Sequence, residues 1–400
     1  VSGHDGASEA RADPTGRGVR RLRILFAGYS LKDPLGGGEL SARALLTALS
    51  DTHEVEALCV GRRAQRYEID GGVRCQDIAT SLMPPPAGVP FHVAAMIVER
   101  QFRATLARSV TDCPPDLLLL QQPAYLRTSD LPRETTLVIF LHSAACYGVG
   151  DPNPVRWKRA VSRVFRTARA AGNAALLRRA DLIVANSMFL RGLVQREAAL
   201  ESQVVPPFIA SSTPAPESRH APSSAADREA ITFVGLDPWK GAQIALRIAE
   251  ASPQRRFLFL DGPRASAEMR RRARALPNVT CLGWTNDMDS VFARTRLLLV
   301  PSIWEEPFGR LPVEAGAFGI PSIASARGGL AESVGSGGVL IDPPEDIAQW
   351  LRHIEAFDDA SVYAAYSASA RQHAQSLGVA PTLSLFTRIL ESATGVKLST

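Results

Sequence analysis

The sequence predicts an α/β protein of two doubly wound domains, and three observations carry that prediction. A short apolar run, a glycine-bearing loop and an amphipathic helix follow one another over residues 23–50, and the same order restarts over 231–251. Between them lies SSTPAPESRHAPSSAADR (211–228), rich in Pro, Ala and Ser and without periodicity, as a linker should be. Finally, 400 residues with 46% hydrophobic and 21% charged content provide for two ordinary cores rather than one.

Composition narrows the function classes. The formal charge of +5 is basic but well short of a dedicated nucleic-acid binder, so no nucleic-acid partner is expected. Five cysteines (Cys59, Cys75, Cys113, Cys146, Cys281) are odd in number and form no C-x-x-C pair. They read as reduced thiols, with neither a disulfide frame nor structural zinc. No apolar run approaches bilayer length and no secretory h-region follows the start, so the expected location is cytoplasmic.

In order, residues 1–19 are polar, Gly-rich and non-periodic, a disordered leader. RILFAG (23–28) is a buried parallel strand, and Gly36, Gly37 and Gly38 then feed a helix from about Glu39. Three glycines let a backbone approach a ligand and tolerate positive φ. They are contiguous, which is not the spaced G-x-G-x-x-G of a dinucleotide fingerprint. EVEALCVG, a helix near 93–109, DLLLLQQ and TLVIFLHS continue the alternation. The last strand ends in His142, which reads either as a hydrogen-bonded structural residue or as a site group, since open α/β sheets bind ligands at strand carboxyl ends.

Residues 154–179 form a basic amphipathic helix, with eight Arg or Lys, no acid, and an apolar stripe of Trp157, Val161, Val164, Phe165 and Ala168. Its charged side is either a solvated face or a surface for anionic lipid or a phosphorylated acceptor. ADLIVANSMFLRGLV (180–194) is a strand entering a helix capped by Asn186 or Ser187, and VVPPFI (204–209) closes the domain. The expected boundaries are 20–209 for the first domain, joined by the terminal helix 378–400, 210–229 for the linker and 230–377 for the second domain.

In ITFVGLDPWKGAQIALRIAEA, Lys240 and Gly241 stand at the helix entry, where an ammonium is a point charge suited to phosphate. RRFLFLDGP, NVTCLGW and RLLLVPS add three strands, and two helical segments follow Pro344, the last over about 382–394. Asp287-Met288-Asp289 spells a metal-binding Asp-x-Asp. It precedes an evident helix, so the acids read as an N-cap and a first-turn residue.

The central stretch is 297–332. A strand ends at Val300, a loop carries Glu305, Glu306 and Gly309, and a short helix opens near Leu311 with Pro312 in its first turn. A strand over 320–324 and a Gly328-Gly329 turn follow. A strand running through a glycine loop into a helix gathers free N–H groups, an anion site. Glu306 and Glu314 flank it, and carboxylates accept hydrogen bonds from sugar hydroxyls. A nucleotide-sugar satisfies both halves.

The segment PSIWEEPFGRLPVEAGAFGIPSIAS (301–325) resembles the donor site of family-4 glycosyltransferases, retaining enzymes of the GT-B fold. Their mark is Glu, seven residues, Glu, with Phe-Gly inside and Glu-Ala at the close, matched by Glu306, Phe308, Gly309, Glu314 and Ala315. The resemblance implies two Rossmann-like domains facing across a cleft. It places Glu314 on the ribose, Lys240 on the diphosphate, Glu306 on the donor sugar, and the backbone from Phe308 through Gly309 and Arg310 to Leu311 on phosphate or sugar. Gly235 belongs to the same donor loop as Lys240. Gly283 and Trp284 would cover the base, Gly37 and Gly38 would approach the diphosphate, and His142 would contact sugar or acceptor. Two departures stand out: Ser143 replaces the Asp that follows the family's histidine, and Leu236 stands where an Arg is usual.

The implied activity is transfer from a UDP- or GDP-sugar to a small-molecule acceptor, with natural-product biosynthesis one setting. Front-face displacement would need no metal and no cofactor. The alternatives are a lipid-linked or cell-envelope acceptor at a membrane surface, an epimerase or phosphorylase of the same fold, and a non-catalytic nucleotide-sugar binder. The chain is read as a monomer or homodimer.

Overall fold

The computed structural model describes residues 20–32, 34, 36–79, 91–142, 173–210, 228–262 and 265–398; the side chains of 91–96 lie outside that description. The leader at 1–19, linker residues 211–227, Ser143, Cys146 and the basic helix up to residue 172 also lie outside the described residues. The chain forms two units, one drawn from Val1–Leu141, Val161–Val184 and Leu383–Thr400, the other from His142–Ala160 and Ala185–Thr382. Among the described residues no helix is long and apolar enough to cross a membrane.

The first sheet grows from β1 (Arg23–Tyr29), whose Ile24 to Ala27 are all buried, as a strand covered on both faces must be. With β2 (Glu54–Gly61), β3 (Gln65–Ile69), β4 (Val73–Ala79), β5 (Leu117–Leu120), β6 (Thr136–Leu141), β7 (Leu182–Ala185) and β8 (Gln203–Val204), the order is β3-β4-β2-β1-β5-β6-β7-β8. β1 pairs in parallel with β2 (Ile24 opposite Val55) and with β5 (Ile24 opposite Leu117), while β3 runs antiparallel to β4. The chain therefore leaves β1 in both directions, and the glycine loop emerges at this switch point.

That loop differs from expectation. Gly36 is extended at φ −145, and Gly37 already begins the helix Gly37–Ser50, with Gly38 in its first turn. The glycines with positive φ lie elsewhere, so these three do not serve a left-handed turn. Gln121 at the end of β5 pins the loop: its Nε2 donates to Gly38 O at 3.0 Å and its Oε1 accepts from Tyr29 N at 3.2 Å. The helix seats Leu45, Leu46 and Leu49 in the core, and Phe386 of the last helix meets Phe140 of β6 at 5.5 Å.

The second sheet comprises β9 (Ala230–Val234), β10 (Phe257–Leu260), β11 (Val279–Leu282), β12 (Thr295–Val300), β13 (Ser322–Ser325) and β14 (Gly338–Ile341). Its order is β11-β10-β9-β12-β13-β14, parallel throughout. Ile231, Phe233, Phe257, Phe259, Leu297, Leu299 and Trp350 centre its core. The switch point falls between β9 and β12. After Pro344 there are three helices, Ile347–Ala356, Ala360–Ser376 and Val379–Thr394, where two segments were expected. Asp359 forces the first break: its carboxylate accepts from Ser361 N and Val362 N, which starts a new helix there. The Ser187 cap is observed, with its hydroxyl accepting from Leu190 N.

Candidate functional site

The site of the second unit lies where β9 and β12 end side by side. After β9 the chain turns through Gly235 (φ 91) to Gly241 (φ 81), with Asp237 capping the turn by accepting from Trp239 N at 2.9 Å. A Cβ at Gly241 would collide with the carbonyl of Pro301, so only glycine lets this turn close on the end of β12. Ile303 N donates to Trp239 O at 3.1 Å, stitching the two loops together. Lys240 is thereby carried to the Glu306 loop, 66 residues away in sequence.

Lys240 Nζ lies 2.5 Å from Glu306 Oε1, and Ser302 Oγ donates to the same oxygen at 2.8 Å. The ammonium also lies over the Trp304 ring, 5.7 Å from its centroid. Glu306 is only 4% exposed, and a carboxylate so enclosed needs both a cation and hydrogen-bond donors. Its backbone is boxed in as well. Gly329 N donates to Glu306 O at 2.7 Å, and Gly328, at φ 61, leaves no room for a side chain against that carbonyl.

The second carboxylate, Glu314, sits in the first turn of the helix Leu311–Ala317 and accepts from Arg310 Nε at 2.9 Å. Arg310 also donates to Phe208 O at 3.2 Å, so its guanidinium is fixed across the helix entrance. Lys240, Ser302, Glu306, Gly309, Arg310 and Leu311 line a cavity of about 40 Å³. Phe308 is buried, packing with Ile209, Val313 and Ala374, so only its backbone faces any ligand. The arrangement presents a cation, a held carboxylate and an Arg–Glu pair around one helix start.

His142, Gly37, Gly38, Gly283 and Trp284 do not line this cavity. His142 retains some exposed surface, yet desolvation, with the Arg310 charge as the second cause, lowers its pKa to about 4 and keeps the imidazole neutral. Gly37 and Gly38 belong to the first unit. Gly283 and Trp284 follow β11, the edge strand two places from β9, and Trp284 is half exposed. Leu236 is buried in the core, which explains an apolar side chain where the resembling family has Arg. Asp287 caps its helix by accepting from Ser290 N at 3.1 Å, as expected. Among the described residues no cluster of His, Cys, Asp and Glu is arranged to hold a metal. Sequence reasoning passed over Ser302, Trp304 and Ser325, and read Gly328 only as a turn.

The glycosyl transferases of group 1 match residues 228–357, the second sheet with most of its helices. This stretch is similar to the group 1 glycosyl transferases. The D-inositol 3-phosphate glycosyltransferase of Mycolicibacterium smegmatis is 33% identical over 227 residues, 52% of this chain and 52% of that protein. The chain thus spans about half the length of the curated relatives it matches first. Among solved structures, Anabaena HepE in complex with UDP and glucose superposes with a TM-score of 0.66 at 20% identity, over 94% of this chain and 100% of that one. Sucrose-phosphate synthase of Thermosynechococcus elongatus does so with a TM-score of 0.71 at 18% identity, over 93% and 100%. These likenesses establish the GT-B fold with its two α/β domains. Within the matched stretch, Glu306 and Glu314 are each held by a cation, Lys240 and Arg310 respectively.

Proposed function

We propose that the chain is a retaining glycosyltransferase that moves a sugar from a nucleoside diphosphate sugar to a hydroxyl of a small polar acceptor. The observation that supports it is the Lys240–Glu306 pair beside the Arg310–Leu311 helix entrance. One member suits a diphosphate and the other suits sugar hydroxyls, and they share one cavity. UDP and glucose in Anabaena HepE favour a uridine donor carrying a hexose. The inositol phosphate in the relatives' names favours a polyol acceptor over a lipid.

In the proposed reaction the bond from sugar C1 to the β-phosphate oxygen breaks while the acceptor oxygen bonds to C1 on the same face. The departing phosphate takes the acceptor's proton. Lys240 and the helix N–H groups neutralise the leaving group, so no metal is required. Glu306 and Glu314 hold sugar and ribose, and positioning of this kind is worth roughly 7–11 kcal/mol.

The test is nucleoside diphosphate release from UDP-glucose or GDP-mannose with a panel of inositols and inositol phosphates, with and without EDTA. Acceptor-dependent release that survives EDTA, with the anomeric configuration retained by NMR, is expected. An inverted product removes the front-face mechanism, and the absence of release with either donor removes the transferase reading.

A further inference from the structure

Among the described residues, both hydrogen bonds to the Glu306 carboxylate converge on one oxygen. Oε1 receives Lys240 Nζ at 2.5 Å and Ser302 Oγ at 2.8 Å. Oε2 receives none among the described residues, and it is not one of the polar atoms sealed from the surface. A carboxylate gripped at one oxygen cannot rotate without giving up both bonds, so its other oxygen has a fixed direction.

The grip has a second stage. Ser302 is fully buried, and its carbonyl accepts from the hydroxyl of Ser325, also fully buried at the end of β13, at 2.6 Å. The same hydroxyl lies 3.4 Å from Val300 O. A chain of hydroxyls therefore runs from the sheet to the carboxylate: Ser325 fixes the backbone of Ser302, and Ser302 fixes Oε1. Neither serine faces solvent, so a merely solvating role is excluded.

We infer that Ser302, supported by Ser325, is a positioning residue that locks Glu306 so that Oε2 alone accepts a hydroxyl of the donor sugar. It thereby sets selectivity for that hydroxyl. The inference rests on the proposed nucleotide-sugar function and adds the residues that aim its sugar-binding acid. Losing the Ser302 hydroxyl frees the carboxylate to turn, which weakens the sugar contact and leaves the nucleotide contact intact.

The test compares binding of UDP, UDP-glucose and the 2-, 3-, 4- and 6-deoxyglucose analogues of UDP-glucose to the parent, Ser302→Ala and Ser325→Ala, by calorimetry. GDP and GDP-mannose with its deoxy analogues are run in parallel. In the parent, one deoxy analogue should bind about five- to tenfold more weakly than the full sugar, as expected for one hydrogen bond. Ser302→Ala should keep nucleoside diphosphate affinity within about twofold, weaken the full sugar nucleotide, and abolish the penalty for that analogue. Ser325→Ala should do the same to a smaller degree, and it carries the test if Ser302→Ala does not fold.

Equal weakening of nucleotide and sugar nucleotide would make the serines structural and overturn the inference while leaving the donor reading intact. An undiminished deoxy penalty in both variants would overturn it equally. If the parent binds neither nucleotide pair, the donor reading itself fails and takes the inference with it.

Discussion

The two units place a loop at the same topological position and furnish it differently. After β1 in the first unit, Gly36, Gly37 and Gly38 enter a helix with ordinary backbone angles, tied down by the neutral amide of Gln121. At the switch point of the second unit the glycines take positive φ, and the groups they bring together are charged: Lys240 with Glu306, Arg310 with Glu314. Both sheets supply a crevice at strand carboxyl ends, as parallel α/β sheets do. The second lines it with two ion pairs, Lys240–Glu306 and Arg310–Glu314. Topology supplies the place, and the side chains decide what it binds.

The largest expected effect separates the two kinds of glycine. Gly241→Ala puts a Cβ into the Pro301 carbonyl at φ 81, so it should destabilise the protein by about 2–4 kcal/mol in urea unfolding. A variant as stable as the parent would show that the turn does not depend on this close approach.

Next comes the charge itself. Lys240→Ala should lower kcat by roughly 10²-fold, the scale of losing one donor to a developing anion. It also strands Glu306, a buried acid, so part of the loss is structural. Lys240→Ala combined with Glu306→Gln isolates the structural part: urea stability lost in Lys240→Ala should recover in the double variant, where no buried charge is stranded. Full turnover in Lys240→Ala would move attention to Arg310, the other cation at the helix entrance.

Glu314→Ala should weaken nucleoside diphosphate and sugar nucleotide alike by about 1.5–3 kcal/mol, because the ribose it is proposed to hold is common to both. It also releases Arg310 from its Nε contact, so Glu314→Gln, which keeps an acceptor, should recover part of the affinity. Unchanged UDP affinity by titration calorimetry would take Glu314 out of the ribose site.

The contrast also shows how much could be read in advance. Runs such as LLLL at 117–120 and FLFL at 257–260 have no exposed face, so buried parallel strands were the consistent reading. Glu306 and Glu314 stood out because the whole 301–325 segment resembles a known donor site; their spacing of eight alone is weak evidence, since an acid in a first helical turn is usually dipole compensation. Ser302 was not legible, because its partner oxygen and its support from Ser325 exist only once β12 and β13 lie side by side. The Lys240–Glu306 pair depends likewise on the Gly241 turn closing on Pro301. The third helix after Pro344 was missed because a helical pattern broken by an Asp cap looks continuous in composition. The run Gly36–Gly38 was over-read: three glycines imply conformational freedom, but the helix simply begins among them.

That over-reading yields the smallest effect and a sharp one. Because Gly37 and Gly38 already sit in helical conformation, alanine at either should leave stability unchanged or raise it by up to about 1 kcal/mol. The role proposed for glycine there is absence of bulk, which would let a diphosphate approach the helix N-terminus. Gly37→Ala and Gly38→Ala should therefore weaken sugar-nucleotide binding a few-fold in calorimetry, while their unfolding midpoints in urea stay at or above the parent's. Loss of stability would mean the glycines are packed against something. Unaltered donor affinity in both variants would show that the first loop takes no part in holding the donor, and the charged loops of the second unit would carry the whole of it.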